Sequence, residues 1–255
     1  MAKQKIKEPG KKMEVAAQQA ARSESEPPRV RRYRALMLQG ALILVAVAFG
    51  ILTYLVKTMP FFAFDLQVTK GLQLVNAPSF ALLMNLISWP GFTPQSLIIT
   101  GLFVLVIVVF GLHWEAVMAL IAVALSSGIN ILVKDLIQRP RPLPNQVGVF
   151  AVLDSYSFPS GHVMYYLGFF GFIWFLAFTL LKPSLKRGFI LVIIGAPILL
   201  VGISRIYLGE HWASDVIGSY LLGTLTLVAI IQIYRWGKTR FFVNQPVAPA
   251  EKQKA

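Results

Sequence analysis

The sequence predicts an all-α integral membrane protein, a bundle of six transmembrane helices with short interfacial helices between the first two. Three observations lead there. Hydrophobic residues make up 56% of the 255-residue chain, only 14% of residues are charged and mean hydropathy is +0.66, outside the range of ordinary soluble domains. Six apolar stretches, near 35–56, 95–113, 115–137, 163–181, 188–207 and 213–235, are each long enough to cross a bilayer core as a helix. Lysine and arginine also concentrate in the segments that six crossings put on one side.

Residues 1–34 form a polar, basic tail ending in Pro27-Pro28-Arg29-Val30-Arg31-Arg32. Its composition favours disorder, with a transient helix over Met13–Ala21. The tail is too long and too acidic for the charged region of a cleaved signal peptide, so the run after it reads as an uncleaved anchor. The membrane domain is expected over 35–236 and a cytoplasmic C-terminal tail over 237–255. Between the first two runs, Asp65–Val75 has helical spacing of apolar residues and Ser79–Trp89 is a short apolar run. Each is bounded by proline (Pro60, Pro78, Pro90) and too short to cross, which predicts interfacial helices. Pro197 and Gly195 inside the fifth run predict a kink. No cysteine is present, which excludes disulfides, thiolate chemistry and cysteine-ligated zinc.

With six crossings and a cytoplasmic N-terminus, eighteen of the 24 basic residues fall inside: ten in the N-terminal tail, then Lys182, Lys186, Arg187, Arg235, Lys238, Arg240, Lys252 and Lys254. This distribution explains the net charge of +13 without nucleic acid as a partner. Six remain outside: Lys57, Lys70, Lys134, Arg139, Arg141 and Arg205. Cations placed against the prevailing bias need another reason, and anion binding supplies one.

The same outer face receives the other ionisable groups. The segment Ser204–Asp215 sets Arg205, His211 and Asp215 between two apolar runs, where such groups are costly. His211 and Asp215 are four apart, so a helix starting near His211 would let the carboxylate orient the imidazole; the plainer alternative is a polar cap on a membrane helix. The loop from Lys134 through Arg139-Pro140-Arg141-Pro142 reaches Pro159-Ser160-Gly161-His162, where the fourth run begins. Taken singly, Lys134 reads as a helix-end lysine, Arg139 and Arg141 as a solvated turn, and Ser160 as an N-cap whose backbone N–H cluster could equally hold phosphate. His113, at the inner end of the second run, reads as structural.

Together these segments resemble the type-2 phosphatidic acid phosphatase superfamily. Lys134 is followed seven residues later by Arg141-Pro142. Pro159-Ser160-Gly161-His162 matches the second part of the family signature. Ser204-Arg205, with His211 and Asp215 at the family spacing, matches the third. The match covers the third to sixth runs, about half the chain. The resemblance implies that His211 attacks phosphorus and becomes phosphorylated, that Asp215 holds its tautomer, and that His162 is the general acid. It further implies that Lys134, Arg141, Arg205, Ser160 and the Gly161 N–H bind phosphate, with no metal and no cofactor. Arg139 lies outside the family pattern and enters only as a helper.

The six runs and the reading of the tail as an anchor imply an integral enzyme in the cell membrane, acting on a lipid phosphate at the extracytoplasmic face with both termini cytoplasmic. Undecaprenyl diphosphate is the first choice of substrate, with phosphatidylglycerophosphate and phosphatidate as alternatives. A non-catalytic lipid-phosphate or anion carrier would need the cations alone. The presence of His162, His211 and Asp215 weighs for the enzyme.

Overall fold

The computed structural model describes residues 28–241, so the helix expected over 13–21 lies outside the described residues. The chain divides into two units, Met1–Leu44 and Val45–Ala255. In the first, the described residues are the opening turns of α1 (Pro28–Thr58); the second holds the rest. α1 ends against the body of the second unit: Val56 is buried, and Lys57 Nζ donates to the last carbonyls of α5 (His113–Ile137), at Leu136 (2.8 Å) and Ile137 (3.2 Å). A lysine there satisfies acceptors that a helix C-terminus leaves open.

Two short helices follow, where short apolar periods and prolines predict them. α2 (Ala63–Gln73) starts with Asp65 in its first turn accepting the Phe62 N–H at 3.0 Å. α3 (Pro78–Ser88) starts with proline at the position where its missing N–H costs nothing. A 3₁₀ turn, Trp89–Gly91, leads into α4 (Gln95–Val109).

Here the structure refines the expected second span. α4 has only 15 residues, because the chain turns at Gly111 with φ of 74°. It is joined to the preceding helix through a bend of 63°. Among the described residues, five helical stretches, Arg32–Thr58, His113–Ile137, Gly161–Leu180, Leu185–Tyr207 and Ala213–Phe241, are long and apolar enough to cross a membrane on their own. The bent pair Pro78–Gly91 and Gln95–Val109 makes a sixth if counted as one span.

α6 (Gly161–Leu180), α7 (Leu185–Tyr207) and α8 (Ala213–Phe241) complete the bundle. α7 is capped by Ser184, whose Oγ accepts the Arg187 N–H at 3.2 Å, and carries Pro197 inside it. The core lies where α5, α6, α7 and α8 meet: Met118, Ala122, Tyr166, Phe169, Phe172, Val201, Val216 and Ile230 are buried together. Small residues set the approach of the helices. A Cβ on Gly168 would fall 1.9 Å from Ser126 Oγ of α5, and it is within a π turn over Tyr166–Phe170 that this contact is made. The outer faces stay apolar and uncovered, as at Leu102, Leu105, Ile131, Leu132, Val192 and Leu199, which suits a surround of lipid. His113 opens α5 as an exposed residue, its Nδ1 3.1 Å from Gly111 O.

Candidate active site

At one end of the bundle the C-terminal ends of α5 and α7 meet the N-terminal ends of α6 and α8, and the buried polar residues gather there. α7 is stopped by Gly209, at φ 66°, where a Cβ would fall 2.0 Å from Gly148 O of the loop between α5 and α6. The chain then turns back on itself: His211 N–H bonds to Arg205 O at 3.3 Å, and α8 begins only at Ala213. α8 thus starts two residues after His211, near where the spacing places it, and His211 stands just before the helix instead of on its face. The pairing survives. Asp215, in the first turn of α8, reaches back to accept the Trp212 N–H at 2.9 Å, and this backward reach brings Oδ2 to 3.5 Å from Nδ1 of His211. That is contact distance, longer than a formed hydrogen bond.

The other ring nitrogen, Nε2, faces Nη1 of Arg141 at 3.3 Å. Burial is the main cause holding the His211 pKa well below the ordinary histidine range, and the charges of Arg141, Lys134 and Arg205 add to it. Burial likewise lowers the Arg141 pKa, with Asp215 opposing. The side chain is thus a neutral imidazole with a carboxylate on one nitrogen and a guanidinium on the other.

The cations expected at the site are brought together around it. Arg141 also donates to Ser155 O (2.6 Å), Ser155 Oγ (2.8 Å) and Glu210 O (2.5 Å), and Lys134 Nζ donates to Tyr156 O. Arg205 is fully buried, donates to Ser88 Oγ at 2.8 Å, forms an ion pair with Glu210 and lies over the Phe92 ring at 5.1 Å. Ser160 takes the N-cap position of α6 but makes no capping bond. Its Oγ is buried with no partner among the described residues, while its N–H donates to Ser219 Oγ at 2.6 Å. Gly161 opens α6 behind it, so two helix N-termini, of α6 and α8, end in this region, an arrangement that favours anions.

His162 sits against Gly91, with its ring edge-on to Phe92 at 4.5 Å and Nε2 unpartnered among the described residues. It borders a cavity of about 250 Å³ lined by Thr93, Ser96, Ser127 and Tyr165. A second cavity, of about 480 Å³, lies against the loop between α5 and α6, at Arg141, Ser155, Tyr156 and Glu210. Among the described residues no group of three or more His, Cys, Asp or Glu is placed to hold a metal ion.

Three participants escape a sequence reading. Arg139, expected in a solvated turn and counted only as a helper, is not solvated: it is 1% exposed and donates to Asp215 Oδ1 (2.5 Å), Ser214 Oγ (2.6 Å), Asp65 Oδ2 (3.0 Å) and Pro60 O (3.0 Å). Asp65, fully buried, accepts both the N–H and the Oγ–H of Ser214 at 2.8 Å. Ser157 Oγ donates to Asp215 Oδ2. One signal for Asp65 was in plain view, since it is the only acidic residue between Glu26 and Glu115.

A family model described as the PAP2 superfamily matches residues 115–238. Phosphatidylglycerophosphatase B of Bacillus subtilis (strain 168) is 36% identical over 116 residues, 44% of this chain and 54% of the relative. Undecaprenyl-diphosphatase of Sulfolobus acidocaldarius is 41% identical over 83 residues, 32% of this chain and 36% of the relative. The chain therefore spans about half, and about a third, of the length of these two relatives. A crystal structure described as the first transmembrane PAP2 type phosphatidylglycerolphosphate phosphatase from Bacillus subtilis superposes with a TM-score of 0.68 at 26% identity, covering 78% of this chain and 98% of that one.

Proposed function

The chain belongs to the PAP2 superfamily, and on that premise we propose that it is a multi-pass membrane phosphatase that removes a phosphoryl group from a lipid phosphate through a phosphohistidine. The observation that carries this reading is the placing of the His211 ring between the Asp215 carboxylate and the Arg141 guanidinium. Nε2 attacks phosphorus as the bond to the leaving oxygen breaks, and His162 gives that oxygen its proton. Asp215 stabilises the imidazolium character that develops. A water then attacks the phosphohistidine, His162 takes the water's proton, the N–P bond breaks and phosphate leaves. Lys134, Arg141 and Arg205 hold the non-bridging oxygens with Ser160 Oγ and the Gly161 N–H, an arrangement in which cations do the charge stabilisation and no metal is required.

The site faces the extracytoplasmic side in this reading, with six crossings and both termini inside, supported by the distribution of basic residues. Undecaprenyl diphosphate is the first choice of substrate. Phosphatidylglycerophosphate is the second, favoured by the names of the Bacillus relative and of the superposed structure. Phosphate release by the purified protein, measured over a panel of lipid mono- and diphosphates with and without EDTA, tests the reading. Release unaffected by EDTA from at least one lipid is expected. Release from none would leave the cations to a carrier.

A further inference from the structure

We propose that Asp65 and Arg139 are positioning residues that act through Asp215, fixing its carboxylate toward His211 and adding a second buried negative charge behind it. This rests on the phosphohistidine reading above and extends it to Asp65, outside the three matched segments, and to Arg139, at a position the first segment leaves open.

The geometry is a chain of three ionised groups. The Arg139 guanidinium lies between two carboxylates, with Nη1 2.5 Å from Asp215 Oδ1 and Nη2 3.0 Å from Asp65 Oδ2. All three side chains are fully buried, so water screens none of these charges. Asp65 is held in turn by the Phe62 N–H (3.0 Å) and by Ser214, whose N–H and Oγ–H both point at it from the residue preceding Asp215. Arg139 is fixed further by Pro60 O and lies 5.4 Å from the centre of the Phe62 ring. The carboxylate of Asp215 is therefore clamped on one oxygen by Arg139 and on the other by the Trp212 N–H and Ser157. It is this second oxygen that faces Nδ1 of His211.

The charge count argues that the arrangement does more than join α2 to α8. A single carboxylate would neutralise Arg139, and a second one buried beside it leaves one negative charge without a partner inside the trio, so that Asp215 is answered from outside it by the charges of Arg141 and Lys134. His211 is the group in contact with the trio that gains positive character when it attacks phosphorus. Arg141, the cation touching the imidazole, stands at the opposite nitrogen. The trio thus holds its excess charge where the transition state needs it and before the reaction begins, the condition under which fixed charge lowers a barrier.

The test is a double-mutant cycle on the full chain, read by lipid-phosphate turnover and by equilibrium binding of vanadate, which mimics five-coordinate phosphorus on His211. Asp65→Asn keeps the shape and the acceptor for Ser214 and removes the charge. It is expected to lower kcat about tenfold with KM within about twofold, the pattern of an interaction made only in the transition state. It should also weaken vanadate binding about tenfold in the Asp215 protein and by less than about twofold in the Asp215→Asn protein, because a residue acting through Asp215 has nothing left to act through. Arg139→Lys should recover part of the kcat lost in Arg139→Ala, since it restores charge without the two-pronged geometry. Equal losses of vanadate affinity in both backgrounds, or full kcat in Asp65→Asn with only a lower melting temperature, would overturn the proposal and leave the pair as a strap between helices. A wild-type protein that neither binds vanadate nor releases phosphate from any lipid would overturn it together with the reading it rests on. An active wild type with additive losses overturns this proposal alone.

Discussion

Arg141 places Nη1 3.3 Å from Nε2 of His211, so the nitrogen assigned to attack is in contact with a permanent cation. Burial first, then Arg141, Lys134 and Arg205, push the imidazole pKa below the ordinary histidine value. The neutral, nucleophilic form then persists as pH falls through the usual histidine range and is lost only at more acid pH. The acid limb of kcat/KM that belongs to His211 is expected below about 6.5, the ordinary histidine pKa. Arg141→Gln takes away one of the depressing charges, so in the residual activity this limb should move toward neutral pH. An acid limb that stayed in place, or moved to lower pH, would contradict the assigned electrostatics.

The two site histidines should separate by leaving group. His211 Nδ1 has the Asp215 carboxylate at 3.5 Å, in contact though not hydrogen-bonded, whereas His162 Nε2 forms no ion pair or hydrogen bond among the described residues. His211→Ala should abolish turnover and any phosphoenzyme. His162→Ala should slow poor leaving groups by roughly 10²–10⁴-fold, the usual contribution of a general acid, and spare good ones. Labelled substrate quenched at alkaline pH, where phosphohistidine survives, reads this directly. Acid-labile label kept in His211→Ala and lost in His162→Ala would reverse the two roles.

Gly91 sets the place of His162 from outside the matched segments. A Cβ there would stand 2.3 Å from His162 Cδ2, so the ring must move. Gly91→Ala is expected to reproduce the leaving-group dependence of His162→Ala in milder form, with a loss on the order of 10²-fold for poor leaving groups, as displacements of about 1 Å can cause. Equal losses for good and poor leaving groups would point to a general disturbance of the bent pair.

The long apolar runs that become α5 to α8 were legible because a bilayer fixes both their length and their composition, and the ionisable residues between them stood out for the same reason. Less was legible where the chain is short and interrupted. The runs at 78–91 and 95–109 carry too few turns each for periodicity to separate an interfacial helix from half of a bent span. Spacing alone put His211 and Asp215 on one helix face, but the turn at Gly209 delays α8 to Ala213, and the carboxylate meets the ring by reaching backward. The partnership of Asp65 with Ser214 joins residues 149 positions apart, a distance over which one sequence carries no pairing signal.

The absence of cysteine makes sidedness directly measurable. Asn145, in the loop before α6, and Lys186, in the first turn of α7, are exposed at opposite ends of α6. With the site extracytoplasmic, an impermeant thiol reagent added to intact cells should label Asn145→Cys and spare Lys186→Cys, and both should react after lysis. Labelling of Lys186→Cys alone would place the site in the cytoplasm and require a different number of crossings before α5.

The ion pair between Arg205 and Glu210 bears on the protein before any substrate arrives. A bare guanidinium enclosed by Phe92, Ser88 and the ends of two helices would be among the most expensive groups in the molecule to shield from water. Glu210, one residue before His211, supplies the missing anion from the chain itself. Arg205 is thereby paired with an anion of its own chain. On the proposed reading, an incoming phosphoryl group that engages Arg205 would take part in an ion exchange: it would have to outcompete a tethered carboxylate, and the same carboxylate could reclaim the arginine when free phosphate departs.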